Sequence, residues 1–168
     1  MGLFLPSLFI ERINDLTPER LSELGIDALA LDVDNTLARP RIKTPFPGID
    51  EWIALMKQNG IELLIVSNAM PKRVAPIAKR FSLPFIPIAV KPLPFGLFWA
   101  MKKAGMSRKR LAMVGDQVFT DIIAAKLAGV FSILVRPGEP EPSWLYRIKR
   151  RAEARVIRKY QRTTNSEQ

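Results

Sequence analysis

Residues 28–36 read Ala28-Leu29-Ala30-Leu31-Asp32-Val33-Asp34-Asn35-Thr36. An apolar run with no polar alternation predicts a strand buried on both faces, and here it breaks into two carboxylates, an amide and a hydroxyl. The same grammar recurs along the chain. Apolar runs at Ala28–Val33, Ile61–Val66, Phe85–Val90, Leu111–Val114 and Phe131–Val135 predict buried strands. Stretches near Gly48–Asn59, Pro71–Phe81, Pro94–Ala104 and Phe119–Leu127 predict the helices between them, several closed by glycine. Strands alternating with helices of this length make right-handed βαβ units. The expected fold is therefore a doubly wound, Rossmann-like parallel sheet in a three-layer α/β/α sandwich.

A chain of 168 residues, 48% of them hydrophobic, suffices for one core. It contains no cysteine and no histidine, which excludes disulfides, Cys/His zinc sites, thiol nucleophiles and imidazole acid–base chemistry. Carboxylates, lysines and hydroxyls must do any chemistry. The net charge of +10 points to an anionic partner or substrate. Between Arg147 and Arg162 eight basic residues stand against Glu153 alone, so this tail carries +7 and the remainder, at +3, is nearly balanced. Proline-rich stretches at Pro40–Pro47 and Pro137–Pro142 read as a structured loop and an exit linker. The chain thus divides into a domain, residues 1–142, and a basic amphipathic tail, residues 143–168.

The polar residues that end the apolar runs converge, because the carboxyl ends of parallel strands share one edge. Asp32, Asp34, Asn35 and Thr36 follow the first run, Ser67 and Asn68 the second, and Lys91 the third. Gly115 and Asp116 follow the fourth, with Asp121 five positions on. Clustered carboxylates repel unless a hard cation sits among them, and Mg²⁺ takes one or two carboxylates together with substrate phosphate oxygens. The set therefore suits phosphoryl transfer to a carboxylate nucleophile, with Lys91 neutralising the transferring oxygens. Asp32 is the natural nucleophile. Asp34 has the same face parity and is the candidate acid/base; Ser67 and Asn68 are placed on the phosphoryl oxygens, and Asp116 and Asp121 on Mg²⁺ or beside Lys91. Singly these signals are weak: Asp-x-Asp or Ser-Asn is commonly a helix cap, and a lysine before proline is commonly solvated. Their order at successive strand ends is what carries the reading.

Asp32-Val33-Asp34-Asn35-Thr36, Ser67-Asn68, Lys91-Pro92 and Gly115-Asp116-Gln117-Val118-Phe119-Thr120-Asp121 resemble the four motifs of the haloacid dehalogenase superfamily of aspartate-nucleophile phosphatases. The resemblance runs from about Ile10 to Pro137. The wording Asp34-Asn35-Thr36-Leu37 is similar to that of its small lidless branch, subfamily IIIA, which includes phosphatidylglycerophosphate phosphatases. It implies an essential Mg²⁺ held around Asp32, Asp34, Asp116 and Asp121, with Thr36, Ser67, Asn68 and Lys91 on the phosphate. Asp121 falls at the position of the fourth motif that varies among relatives.

Cap domains in this superfamily are inserted after the first motif or between the second and third, and neither interval here has room for one. The cleft is expected to be open, which suits a phosphate on a bulky carrier such as a membrane lipid. Arg39, Arg41 and Lys43, on the loop beside the first motif, are candidates for substrate contact or for solvated charge. The opening segment lacks a basic n-region, is interrupted by Pro6, and is shorter than the roughly 20 residues a membrane span needs. Its Leu3, Phe4, Leu8, Phe9 and Ile10 are expected to pack on the core rather than form a membrane foot. The protein is expected to be cytoplasmic, neither secreted nor membrane-spanning. In the tail Trp144, Ile148, Ala152, Val156 and Tyr160 recur every four residues among basic side chains, so a helix over Trp144–Tyr160 suits either adsorption to the inner, anionic membrane face or packing on the domain. The leading functional reading is Mg²⁺-dependent dephosphorylation of phosphatidylglycerophosphate to phosphatidylglycerol. The alternatives are a phosphatase of a soluble metabolite, phosphoprotein or nucleic-acid phosphate, and a non-catalytic receiver-like or RNA-binding module. Against a receiver stands Asp34, which would hasten loss of the phosphoryl group. Oligomers remain open, since a second copy can supply a lid.

Overall fold

Successive side chains of a strand leave opposite faces. Along β2 (Ala28–Leu31) Leu29 and Leu31 join one core and Ala28 and Ala30 the other. The computed structural model, which describes residues 2–40, 44–136, 151, 153–158 and 160, shows what covers each face. Helices α1 (Pro18–Glu23), α2 (Ile49–Gln58) and α3 (Pro71–Phe81) lie on the first; α4 (Phe95–Ala104) and α5 (Ile123–Ala128) lie on the second. Between them is a sheet of six parallel strands in the order β1-β6-β5-β2-β3-β4, where β1 is Leu8–Ile10, β3 Glu62–Val66, β4 Phe85–Ile86, β5 Leu111–Gly115 and β6 Phe131–Val135. This is the expected α/β/α sandwich, with no large cap among the described residues. From β2 the chain winds outward through β3 to β4, then crosses back to add β5 on the other side of β2. At such a reversal a crevice opens outside the carboxyl ends of the strands.

The structure differs from the sequence expectation where elements are short. Leu8–Ile10 is an edge strand paired to β6, three residues that carry no periodicity. Leu8 and Ile10 pack against one core and Phe9 against another, while Leu3 and Phe4 stay largely exposed. Helix α1 opens on Thr17, whose hydroxyl accepts from the Arg20 N–H, followed by Pro18 at the first helical position; the capping chemistry was present in the sequence without a long enough apolar pattern behind it. The run Phe85–Val90 pairs only over Phe85–Ile86. Pro87 has no N–H to give the ladder, and Ile88 and Val90 adopt positive φ. A π turn, Val118–Ile122, precedes α5 where a continuous helix was expected.

The tail returns to the domain. Its residues 151, 153–158 and 160 are helical, and Val156 and Ile157 pack against buried Val118, Ile122 and Leu134, with Tyr160 6.5 Å from the Phe9 ring. Glu153 is buried, and its carboxylate accepts the Val118 N–H at 3.0 Å, at the start of the π turn. Trp144, Leu145, Ile148, Lys149, Ala152 and Lys159 of the anticipated stripe lie outside the described residues. A buried N–H stripped of its acceptor costs about 1–3 kcal/mol. Glu153→Ala should therefore lower the urea unfolding free energy by about that much and Glu153→Gln by less; equal stability of all three proteins would refute the contact.

Candidate active site

Strand pairing continues one residue past β2, where the Asp32 N–H donates to Val114 O at 2.9 Å and so holds the Asp32 backbone at the crevice. The partner for its carboxylate arrives from the loop after β4. Lys91 Nζ donates to Asp32 Oδ1 and to Val66 O, both at 2.8 Å, and lies 2.7 Å from Asp121 Oδ1. The ammonium is buried. Burial alone would lower its pKa, but the carboxylates of Asp121 and Asp32 outweigh that and hold it above the ordinary lysine range. Asn68 positions this lysine by bracketing its backbone: Asn68 Oδ1 accepts the Lys91 N–H at 2.7 Å, and Nδ2 donates to Lys91 O at 2.8 Å. The Ala89 N–H adds a bond to Ser67 O, tying the second motif to the third.

Asp121 reaches the cluster from the π turn, where its Oδ2 accepts the Gln117 N–H at 3.1 Å. Its pKa is pushed up to about 6, first by burial, then partly relieved by Lys91 and opposed again by Asp32. Room for it depends on Gly115. A Cβ there would collide with the Asp121 carboxylate and come within 2.7 Å of its Cβ. Asp116 completes the group: Asp32, Asp116 and Asp121, all buried, each offer an oxygen within 4.8 Å of the others. Among the described residues three carboxylates gather with one ammonium, and an all-oxygen donor set is what a hard divalent cation such as Mg²⁺ takes. The residues present fit such an ion.

Asp34 stands apart from that cluster. Its Oδ1 accepts from Arg73 Nη2 at 2.6 Å and Nε at 3.1 Å, and Arg73 also donates to Arg39 O at 2.8 Å. Arg73, in the first turn of α3, escaped the sequence reading; it sits six residues after Ser67, among other helix basics, and only the fold shows which carboxylate it meets. Ser67 is buried, with Oγ accepting the Ala69 N–H at 3.3 Å. Among the described residues Thr36 Oγ1 and the Asn35 side-chain amide are buried without hydrogen-bond partners, at the edge of a 630 Å³ cavity that Phe46, Pro47 and Arg136 also line. Arg41 and Lys43 lie outside the described residues.

Residues 9–129 match the haloacid dehalogenase-like hydrolase family. The chain belongs to it. It is similar to a probable phosphatase, YqeG, of Bacillus subtilis, with 32% identity over 92% of this chain and 90% of that one. It is 31% identical to the phosphoserine phosphatase of Thermus thermophilus over 84% of this chain, spanning 60% of that enzyme, and 30% identical to phosphoglycolate phosphatase 1 of Pseudomonas aeruginosa, spanning 41% of it. Among solved structures it superposes on a phosphoglycolate phosphatase predicted in Haemophilus somnus, with TM-score 0.51, 27% identity and coverage of 56% of this chain and 46% of that one. The family member is thus an enzyme, a phosphoric monoester hydrolase.

A ligand bound only by the native fold stabilises it by about 2.7 kcal/mol at a concentration 100-fold above its Kd. Mg²⁺ should accordingly raise the melting temperature of the purified hydrolase by several degrees and Asp116→Asn should remove most of that rise; an unchanged rise would take Asp116 out of the cation site. Gly115→Ala should lower both the Mg²⁺-induced rise and activity, because Asp121 must move; wild-type behaviour in this variant would contradict the close approach.

Proposed function

We propose that this hydrolase is a Mg²⁺-dependent phosphomonoesterase that works through an aspartyl-phosphate and whose substrate is phosphatidylglycerophosphate. The observation that carries the chemistry is the buried Lys91 ammonium on Asp32 Oδ1, at the open ends of the strands. Lys91 holds one oxygen of Asp32 and leaves Oδ2 to approach phosphorus in line with the leaving alkoxide. The Asp32 Oδ2–P bond forms as the P–O bond to glycerol breaks. Asp34 leaves Arg73, takes up a proton from solvent and gives it to that alkoxide, then takes one from the water that attacks phosphorus and returns Asp32 as a carboxylate with release of inorganic phosphate. Asp32, Asp116 and Asp121 would hold Mg²⁺, which when bound supplies charge neutralisation at the phosphoryl oxygens. Ser67 and Thr36 present hydroxyls to the phosphoryl group, and Asn68 acts by fixing Lys91.

The lipid substrate is supported by the lack of a large cap among the described residues and by the motif wording that resembles the lidless branch. A second reading, a small soluble phosphate ester, is favoured by the names of the phosphoglycolate and phosphoserine phosphatases to which the chain is similar. Phosphate release with Mg²⁺ should be at least tenfold more efficient, as kcat/KM, on phosphatidylglycerophosphate in mixed micelles than on phosphoglycolate, phosphoserine, sugar phosphates or nucleotides. The reverse ranking would establish the second reading. Asp32→Asn should abolish turnover on every substrate, and Asp34→Asn should cost about 10²- to 10⁴-fold, the usual worth of a general acid–base.

A further inference from the structure

The residues on either side of Lys91 face outward. Ile88 and Val90 hold φ values of 48° and 57°, a left-handed conformation that is costly for β-branched residues. Hydrogen bonds from Ile88 N to Ala69 O and from Ala89 N to Ser67 O keep them there. The result is an alternation in which Ala89 is buried in the core under α4 and Lys91 in the site, while Ile88 and Val90 are each 52% exposed. The apolar surface continues into α4. Phe95, Phe98 and Trp99 share one helix face by their spacing, and Phe95 and Trp99 are 60% and 72% exposed. The opposite face cannot be turned out in exchange: Leu97 and Ala100 are buried, and Gly96 lies so close to the sheet that a Cβ would come within 2.8 Å of the Ala89 Cβ. Lys102 and Lys103 end the same helix. Beside it a depression of about 620 Å³ is lined by Phe98, Met101, Met106, Arg108, Lys109 and Leu127.

Charge identifies what this face meets. From Leu63 to Gly115 the sequence has ten basic residues and no acidic one. Lys72, Arg73, Lys79 and Arg80 of these lie on α3 across the sheet and Lys91 is buried in the site, while Lys102, Lys103, Arg108, Lys109 and Arg110 belong to α4 and the loop after it, where Arg110 pairs with Asp27. A second copy would bring the same charge against itself, and like charges juxtaposed at an interface are repelled. Aliphatic and aromatic side chains rimmed by lysine and arginine instead suit the boundary of an anionic bilayer, where apolar groups enter the headgroup region and each basic residue gains about 1 kcal/mol. The described tail residues are spent elsewhere, with Val156, Ile157 and Tyr160 packed by β1 and β6 at the far edge of the sheet.

We propose that the surface formed by Ile88, Val90, Leu93, Phe95, Phe98 and Trp99 docks on an anionic membrane, with the cleft opening beside it. The proposal rests on the reading of a lipid-borne phosphate and gives that reading a surface. Membrane contact is thereby assigned to the face flanking the catalytic lysine rather than to the tail, for which the sequence pattern allowed either adsorption or packing on the domain.

The test uses the full chain and phosphatidylcholine vesicles with or without phosphatidylglycerol. The wild type should float with the anionic vesicles and less so at high salt. A Phe95→Ser/Trp99→Ser double variant should lose at least about tenfold in partitioning, given the apolar area two aromatics bury. Its hydrolysis of a soluble aryl phosphate should be unchanged, which reports an intact fold and site. In a Trp144→Phe background, Trp99 emission should shift to the blue on anionic vesicles, since Trp52 is already buried. Wild-type protein that fails to float, or a double variant that floats equally, overturns the proposal. So does flotation lost in Trp144→Ser but kept in the double variant, or a self-association or RNA retention that the two substitutions abolish in the absence of flotation. Flotation without phosphate release from phosphatidylglycerophosphate upholds the docking face and removes the lipid-substrate reading; release from micelles without flotation does the opposite.

Discussion

One buried ammonium organises this molecule. Lys91 lies between Asp32 and Asp121, 2.8 and 2.7 Å from their oxygens, with Val66 O as its third acceptor. Taking such charges out of water costs several kcal/mol per ion even when they are well paired, so an apolar cluster of the same volume would serve stability as well or better. The cost is accepted for chemistry. Much of the surrounding architecture can be understood as delivering these groups to one point: strand pairing sets Asp32, the Asn68 amide clamps the Lys91 peptide, Gly115 vacates the space that Asp121 fills, and Glu153 of the tail holds the start of the turn that carries Asp121.

The same cluster explains why the site calls for a cation. Desolvation and the Asp32 charge push the Asp121 carboxyl upward, and Lys91 offsets only part of this. Asp116 adds a third buried carboxylate to the group. Substrate phosphate would add still more negative charge. A divalent ion and a phosphoryl group bound together resolve what neither resolves alone, which is the usual logic of phosphoryl transfer.

Much of this was legible in the sequence because buried parallel strands write continuous apolar runs, and the residues that break those runs mark the functional edge. Ala28–Leu31, Pro71–Phe81 and Phe131–Val135 fall where the pattern places them. What stayed hidden depends on distance rather than on local pattern. Arg73 looks like any helix-surface arginine until the fold sets it on Asp34. Asn68 reads as a phosphate contact, yet both ends of its amide are taken by Lys91. Glu153 stands in the sequence only as the lone acid of a basic tail, and its burial against Val118 is seen in the fold alone. The edge strand Leu8–Ile10 is too short to carry a period, and the left-handed backbone at Ile88 and Val90 left no trace in residue type.

Among the described residues no large cap covers the cleft, and the flank of α4 beside it exposes Phe95, Phe98 and Trp99 next to Lys102 and Lys103. The central claim nevertheless concerns Asp32. An acyl phosphate is reduced by borohydride to an alcohol, so rapid mixing with substrate and Mg²⁺, quenching into borohydride and peptide mass spectrometry tests it directly. The account predicts homoserine at position 32, dependent on substrate and absent from Lys91→Met protein; phosphate release with Asp32 unmodified, or reduction at another carboxylate, would contradict it.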